Sequence, residues 1–347
     1  MQDLRIGFAF NQKPTEDAPE GEDEPPSLGT HDRYAEWDDP ATIDAVAAAL
    51  ARAGTVIRLE ADADFPSRLR DTHPDIVFNI AEGLHGPNRE AHVPAICEFY
   101  GIPYTASDPL TLTLAHHKAR AKQVFAAAGV PTPEWCVAAP DMPFAAPGSG
   151  PWFVKPVHEG SSMGISEASL CTTTAQLEAH VRAMHERYAQ PALVERFLGG
   201  REFTVAVLGN GAEAHALPLV EIALSALPAG AVPIYGWEAK WVWDVPENPL
   251  EIFACPAHVD SALARGIEDA ALRAYHALGC RDWGRVDVRL DDAGQPHVLE
   301  INPLPGILPD PRQNSCFPKA ARAAGMDYDT LILTVLDTAL RRIGRVA

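Results

Sequence analysis

Two stretches of the chain carry residue types that could hold a nucleotide. In FVKPVHEGSSMGI, residues 153–165, Lys155 closes an apolar run, and Gly160, Ser161, Ser162, Met163 and Gly164 follow as a turn. Glycines let backbone N–H groups approach an anion, serine hydroxyls add hydrogen bonds, and a lysine at a strand end adds a fixed charge. The stretch reads as a phosphate cradle or, alone, as an ordinary Gly/Ser turn. The second stretch is GRVDVRLDDAGQPHVLEIN, residues 284–302. Val286, Val288 and Leu290 alternate with Arg285, Asp287 and Arg289, DDAGQP has turn chemistry, and Glu300 and Asn302 share one strand face. Paired as a hairpin, the two strands would bring Asp287, Glu300 and Asn302 together. Three oxygen donors without His or Cys suit a hard cation such as Mg²⁺, which takes one or two carboxylates plus substrate phosphates. The alternative is a solvated strand face, but Pro303, Pro305 and Gly306 end the strand beside the donors, where a substrate could reach them. Together the two stretches describe a nucleoside triphosphate site. It is neither a P-loop nor a protein kinase, because the GxxxxGK[ST], HRD and DFG patterns are missing.

The elements that must position these groups follow from the pattern. LRIGFAF, TVIRLE and DIVFNIA predict strands over 4–10, 55–60 and 75–81, and IPYTA a short fourth. DDPATIDAVAAALARAG predicts a helix capped by Asp39, with Pro40 at its first position and Gly54 after its end. NREAHVPAICEFYG is a helix ending at Gly101. This alternation implies a parallel sheet flanked by helices. One long helix is predicted from Asp108 to Ala128, closed by Gly129 and Pro131. Beyond it PWFVKP, ISEASL, ALVERFL and EFTVAVLG read as strands, with a helix over 174–188. GIEDAALRAYHALG and the segment from Tyr328 are helices, and WGRVDVRL and HVLEIN are strands. Trp237, Trp241 and Trp243 alternate as on a strand. The acidic, Pro- and Gly-rich run TEDAPEGEDEPPSLGT reads as a solvated loop.

The chain has 347 residues, a net charge of −19, 47% apolar and 22% charged residues, which fits a soluble protein of two or three domains. The negative charge argues against nucleic acid and anionic membranes as partners. Six scattered cysteines form no CxxC pair and read as reduced packing residues. The N-terminus lacks signal-peptide character, no run approaches a membrane span, and a cytoplasmic location is expected.

With these motifs in order, the chain resembles the ATP-grasp ligases, and within them the D-alanine–D-alanine ligases. The resemblance runs from about Asn79 to the C-terminus. It rests on EGLHGPNREAHVPA, GIPYTASDPLTLTLAHHK, GVPTP, FVKPVHEGSSMGI, LVERFLGGREFTVAVLG, EAKW, CPA, GCRDWGRVDV, LEINPLPG and FPKAARAAGM. It implies an α/β ATP-grasp fold with an N-terminal Rossmann-like parallel-sheet domain over 1–115. A small central subdomain with the phosphate loop is expected over 116–200, and a C-terminal subdomain with the metal site over 201–347. The implied activity is ADP-forming ligation of two small amino acids through an acyl phosphate, with ATP and Mg²⁺ (two ions, or Mn²⁺), in a homodimer. By the resemblance Lys118, Lys155 and Lys240 contact the phosphates, with Gly160 and Ser162 in their loop. Glu195 and Leu198 line the adenine pocket and Glu202 meets the ribose. Asp287, Glu300 and Asn302 hold the metal. Arg285 and the backbone at Gly306 stabilise the tetrahedral intermediate, and Ser161 lies over the reacting centre. His85 and Glu90 belong to the first substrate and Ser315 to the second.

The pattern departs from the family where amino acids are recognised. The Gly-Gly-x-Ser-x-Glu motif after the first strand is replaced by NQKPTEDAPEGEDEPP, which leaves Glu16, Glu36 or Glu82 as substitutes. The tyrosine after the EAK lysine is Trp241, which only donates. ILPDPRQN lengthens the loop before Ser315, from which Arg312 could reach a carboxylate. His116 and His117 read as helix packing residues rather than acid–base groups. The same chemistry on another amino acid or amine stands as the alternative function, and nucleotide binding without catalysis as a more distant one.

Overall fold

A computed structural model describes residues 4–14, 34–243 and 250–345, and of Trp241 only the backbone. The chain opens with β1 (Arg5–Phe10), α1 (Pro40–Leu50), β2 (Thr55–Glu60), α2 (Phe65–Thr72), β3 (Ile76–Asn79) and α3 (His92–Tyr100). The three strands form a parallel sheet in the order β2-β1-β3. The Asp39 carboxylate caps α1 by accepting from Thr42 N at 2.7 Å, with Pro40 in the first turn. The helix ends at Leu50, four residues before Gly54. IPYTA contributes a single parallel bridge, Val77 to Tyr104, rather than a strand. Helix α2 is absent from the sequence expectations.

The predicted 108–128 helix is two helices, α4 (Pro109–His116) and α5 (Lys118–Ala127). His117 leaves the helical region at φ −89°, ψ 87°, and Lys118 N donates instead to Val157 O at 3.0 Å. No Gly or Pro stands at the break, and a tertiary hydrogen bond sets it. The break sets Lys118 at a helix start beside the next sheet. That sheet contains β4 (Trp135–Ala138), β5 (Trp152–Pro156), β6 (Leu170–Cys171) and, after α6 (Thr174–Tyr188), β7 (Ala192–Arg196), in the order β4-β7-β5-β6. ISEASL is mainly a 3₁₀ turn over Glu167–Ser169, with only Leu170 joining β6.

The third sheet holds β8 (Glu202–Leu208), β9 (His215–Ala216), β10 (Val220–Ile222), β11 (Phe253–Ala254), β12 (Trp283–Leu290) and β13 (Pro296–Asn302). Its main path is β11-β10-β8-β12-β13, with β9 beside β8. Helices α7 (Ser261–Leu278), α8 (Cys316–Ala323) and α9 (Tyr328–Arg342) complete the chain. Residues Glu238–Trp243 form a π-helical turn, so the three tryptophans do not alternate on a strand.

One hydrophobic core joins the two ends of the chain. Ile6, Phe8, Val46 and Leu50 pack with Trp283, Phe317, Leu331, Val335 and Ala339. Each large apolar side chain so buried contributes roughly 1.5–3 kcal/mol. Trp283 is fully buried and meets Phe78 and Phe317 edge-on, at centroid distances of 5.9 and 5.7 Å. Arg342 of α9 locks the junction: its guanidinium donates to both oxygens of buried Asp282, at 3.0 and 2.8 Å, and to Tyr104 O at 2.8 Å. All six cysteines are free thiols, and among the described residues no helix is long and apolar enough to cross a membrane.

Candidate active site

The second and third sheets and the loops after β1 and β3 enclose a cavity of about 420 Å³, within the range of small-molecule sites. The hairpin β12–β13 forms its floor. Asp287 stands directly opposite Glu300 and Arg285 opposite Asn302, and the register slips just after Asp287. Alternation along both strands therefore puts Arg285, Asp287, Glu300 and Asn302 on the wall of the cavity. The Arg285 guanidinium donates to both Asp287 oxygens at 3.0 Å. Lys118 and Lys155 approach Glu300 Oε2 at 3.6 and 3.7 Å. Burial opposes ionisation of Glu300, but Lys118, Lys155 and Arg285 outweigh it and hold the carboxyl down at about 2.

Lys155 lies next to the end of β5 and is almost fully buried, with Glu195 Oε2 2.9 Å from its Nζ. The Lys118 ammonium donates to Glu159 O. The loop between them is held in an unusual shape: Ser161, Ser162 and Gly164 have φ of 48°, 60° and 73°. Two successive serines in the left-handed region cost energy, which fits a loop held for function. Ser162 Oγ donates to Tyr235 O at 3.2 Å, and Trp237 N to Ile165 O at 2.8 Å, so the loop is tied to the segment leading into the π-helical turn. Lys240 of that turn lines the cavity, and burial followed by Arg285 lowers its pKa to about 8.

Beside the hairpin, Glu202 on β8 pairs with Arg289 on β12 and accepts from its guanidinium at 2.9 Å; Arg289 stacks over Phe197 at 4.8 Å. Leu198 and Phe153 line the same end. At the other end, Glu36 reaches over the loop glycine. A Cβ on Gly160 would lie 2.0 Å from Glu36 Oε1, so only glycine allows this approach. Glu36 Oε2 accepts from Arg89 at 2.5 Å, Arg89 lies 2.7 Å from His116 Nε2, and Glu90 meets His116 Nδ1 at 2.5 Å. Glu82 lines the same end and, among the described residues, accepts no hydrogen bond. Burial first, then the negative charges of Glu90 and Glu36, raise its pKa well above the usual carboxylate range. Ser315 Oγ donates to Gly306 O at 3.1 Å and accepts from Leu308 N at 3.2 Å.

The cavity thus gathers Lys118, Lys155, Gly160, Ser161, Ser162, Glu195, Leu198, Glu202, Lys240, Arg285, Asp287, Glu300, Asn302, Gly306, Glu90 and Ser315. Two expected residues lie elsewhere. His85 is exposed and outside the cavity wall. Arg312 is turned into solvent, with its guanidinium folded back on Asp310 at 2.6 Å, because a carboxylate two residues away satisfies it locally. The Trp241 side chain, Glu16 and the acidic run 15–24 lie outside the described residues. Sequence reasoning missed Arg89, Arg289 and Lys122. Lys122 carried a signal, since it shares a helix face with Lys118 four residues earlier. His116, read as a packing residue, lines the cavity with Glu90 and contacts Arg89.

Comparison with known proteins places the chain in a family. The family model described as D-ala D-ala ligase C-terminus matches residues 144–337. A D-alanine–D-alanine ligase of Bordetella petrii is 36% identical over 78% of this chain and 77% of its own length. One from Xanthomonas axonopodis is 38% identical over 77% and 78%. The chain belongs to the D-alanine–D-alanine ligase family. It is an ATP-dependent ligase that forms an amide bond, and membership of the family implies ATP and a divalent metal. The ligase of Bacillus anthracis in complex with ATP has the same fold, with a TM-score of 0.71, 20% identity and 98% of each chain covered. An uncharacterised Sinorhizobium fredii protein, y4sG, is 39% identical over 88% of this chain and 89% of its own.

The donor set fits the implied metal. Asp287 and Glu300 face each other across the hairpin and both offer carboxylate oxygen, and Asn302 on the same wall adds an amide oxygen. The ammonium groups near Glu300 stand at 3.6–3.7 Å, beyond close hydrogen-bond contact, so they do not tie up its oxygens.

Proposed function

We propose that the ligase joins two small amino acids, D-alanine foremost, and that the triphosphate lies between the Gly160–Ser162 loop and the Asp287–Glu300–Asn302 set. The observation that carries this reading is the convergence of two lysines and the β12–β13 carboxylates on one cavity. Lys118, Lys155, Lys240 and the loop take the phosphates, Glu195 and Leu198 face the adenine, and Glu202 the ribose. Asp287, Glu300 and Asn302 hold one or two Mg²⁺, or Mn²⁺, which neutralise the phosphates. The three separate sheets support the division into segments 1–115, 116–200 and 201–347.

In this arrangement the carboxylate of the first amino acid attacks the γ-phosphorus, and ADP leaves. The amine of the second then attacks the acyl carbon, inorganic phosphate leaves, and the nitrogen gives up a proton. Arg285, beside Gly306 N–H, stabilises the oxyanion of the tetrahedral intermediate, and Ser161 lies over the reacting atoms. Glu36, with Glu82 behind it, takes the place of the missing family glutamate and receives the first ammonium group. A side recess of about 30 Å³, walled by Ile80, Trp283, Leu304 and Ile307, opens beside these carboxylates. It has room for little more than a methyl group, which favours an alanine-sized side chain. Ser315, at the start of α8, faces the carboxylate of the second amino acid.

The same chemistry on a different pair is the second reading. The replaced N-terminal motif favours it. Incubating the enzyme with ATP, Mg²⁺ and amino acids in pairs, with phosphate release and product mass as readouts, tests both. Strong turnover on D-alanine alone establishes the first reading; turnover only on mixed or other pairs replaces it with the second.

A further inference from the structure

Lys122 belongs to no part of the mechanism above, yet it is the most deeply buried cation near the site. Its side chain is completely buried and is not part of the cavity wall. Its ammonium contacts Glu195 Oε1 and donates to Thr132 Oγ1 at 2.6 Å, and Thr132 donates in turn to Val298 O at 2.8 Å. Trp135 offers its ring face at 5.9 Å. The other oxygen of Glu195 meets Lys155 at 2.9 Å, and Lys155 and Lys118 both stand over Glu300. The five side chains form a continuous chain of charge, Lys122–Glu195–Lys155–Glu300–Lys118. Three cations and two carboxylates leave it one positive charge in excess.

We propose that Lys122 is a positioning residue for the triphosphate: it occupies one oxygen of Glu195, so that Lys155 can turn from that carboxylate to the phosphates. The proposal rests on the reading that the phosphates lie at Lys118 and Lys155. Without Lys122, Glu195 has one cation, and a buried carboxylate holds a lone partner strongly. Lys155 would then be spent on Glu195 and the chain would have no net charge. With Lys122 in place, Glu195 remains compensated after Lys155 leaves it. Lys122 thus acts on a ligand it never touches, through a carboxylate that two lysines share.

The test is calorimetric binding of ATP and of adenosine, each with Mg²⁺, to wild type, Lys122→Met, Lys122→Met/Glu195→Gln and Lys155→Met. Removing Lys122 weakens ATP by about tenfold to a hundredfold and adenosine by less than about threefold. The double variant regains the excess charge, so its ATP-to-adenosine affinity ratio returns to within about threefold of wild type. This variant removes both members of the buried pair, so it reads the proposal even where Lys122→Met does not fold. Equal weakening of ATP and adenosine in Lys122→Met would reduce the residue to a prop of the base pocket and overturn the proposal. A ratio that stays collapsed in the double variant overturns it too. Undiminished ATP affinity in Lys155→Met overturns the placement of the phosphates itself, and the proposal with it.

Discussion

Gly160→Ala isolates the part of the site that the sequence left open. The new methyl carbon would lie 2.0 Å from Glu36 Oε1, and ordinary contact begins near 3.4 Å, so the carboxylate must retreat by about 1.4 Å. That movement pulls Glu36 from its 2.5 Å bond to Arg89 and from the position where it would receive the substrate ammonium. A charge-assisted hydrogen bond is worth about 1.5–3 kcal/mol, so the KM of the first amino acid should rise about tenfold to a hundredfold. The backbone at Gly160 is not left-handed and its N–H survives the substitution, so the KM for ATP should change by less than about threefold. Phosphate release at varied amino acid and fixed saturating ATP, then the reverse, separates the two constants. An unchanged amino-acid KM in a folded variant would refute the role of Glu36. A parallel rise in both constants would show that the loop, rather than Glu36, had been displaced.

Three further outcomes are expected. Asp287→Asn and Glu300→Gln each lower kcat by about a hundredfold or more, with partial recovery as Mg²⁺ is raised, read by ADP formation at a series of metal concentrations. Arg342→Met leaves the buried carboxylate of Asp282 without its cation and costs about 3–5 kcal/mol, measured as the shift in urea midpoint at constant slope. Burial, reinforced by Asp39 and opposed by Lys13, raises the pKa of Asp38 from 3.8 to about 7. A folded pKa above the unfolded one favours the native state fully below pH 3.8, and the advantage disappears as pH rises through 7. Asp38→Asn should therefore be more stable than wild type at pH 8, with a ceiling of about 4 kcal/mol, and equal to it below about pH 4. Thermal unfolding across that pH range would refute this if the two proteins ran parallel throughout.

Strands and hairpin chemistry were legible because they are local. Alternation and turn residues define β12, β13 and the face shared by Glu300 and Asn302, and TVIRLE occupies β2 residue for residue. Helix α6 matches 174–188 because Thr173 caps it and Gln176 completes the capping box. Features set by distant partners were not legible. The break at His117 depends on Val157, about forty residues on, while no Gly or Pro beside it marks a boundary. Glu36 acquires its place only through Arg89 and Gly160, and nothing near it in the chain announces either. Arg312 went the other way: an attractive charge in a lengthened loop was captured by its near neighbour Asp310.

The last helix, α9, packs against α1, its Leu331, Val335 and Ala339 sharing one core with Val46 and Leu50 of α1 and Ile6 of β1. During synthesis α1 must therefore wait for nearly three hundred later residues before this contact can form. The nascent amino-terminal layer is half-clothed for most of its time on the ribosome. Assembly of this ligase is consequently a closure, completed when its end returns to its beginning.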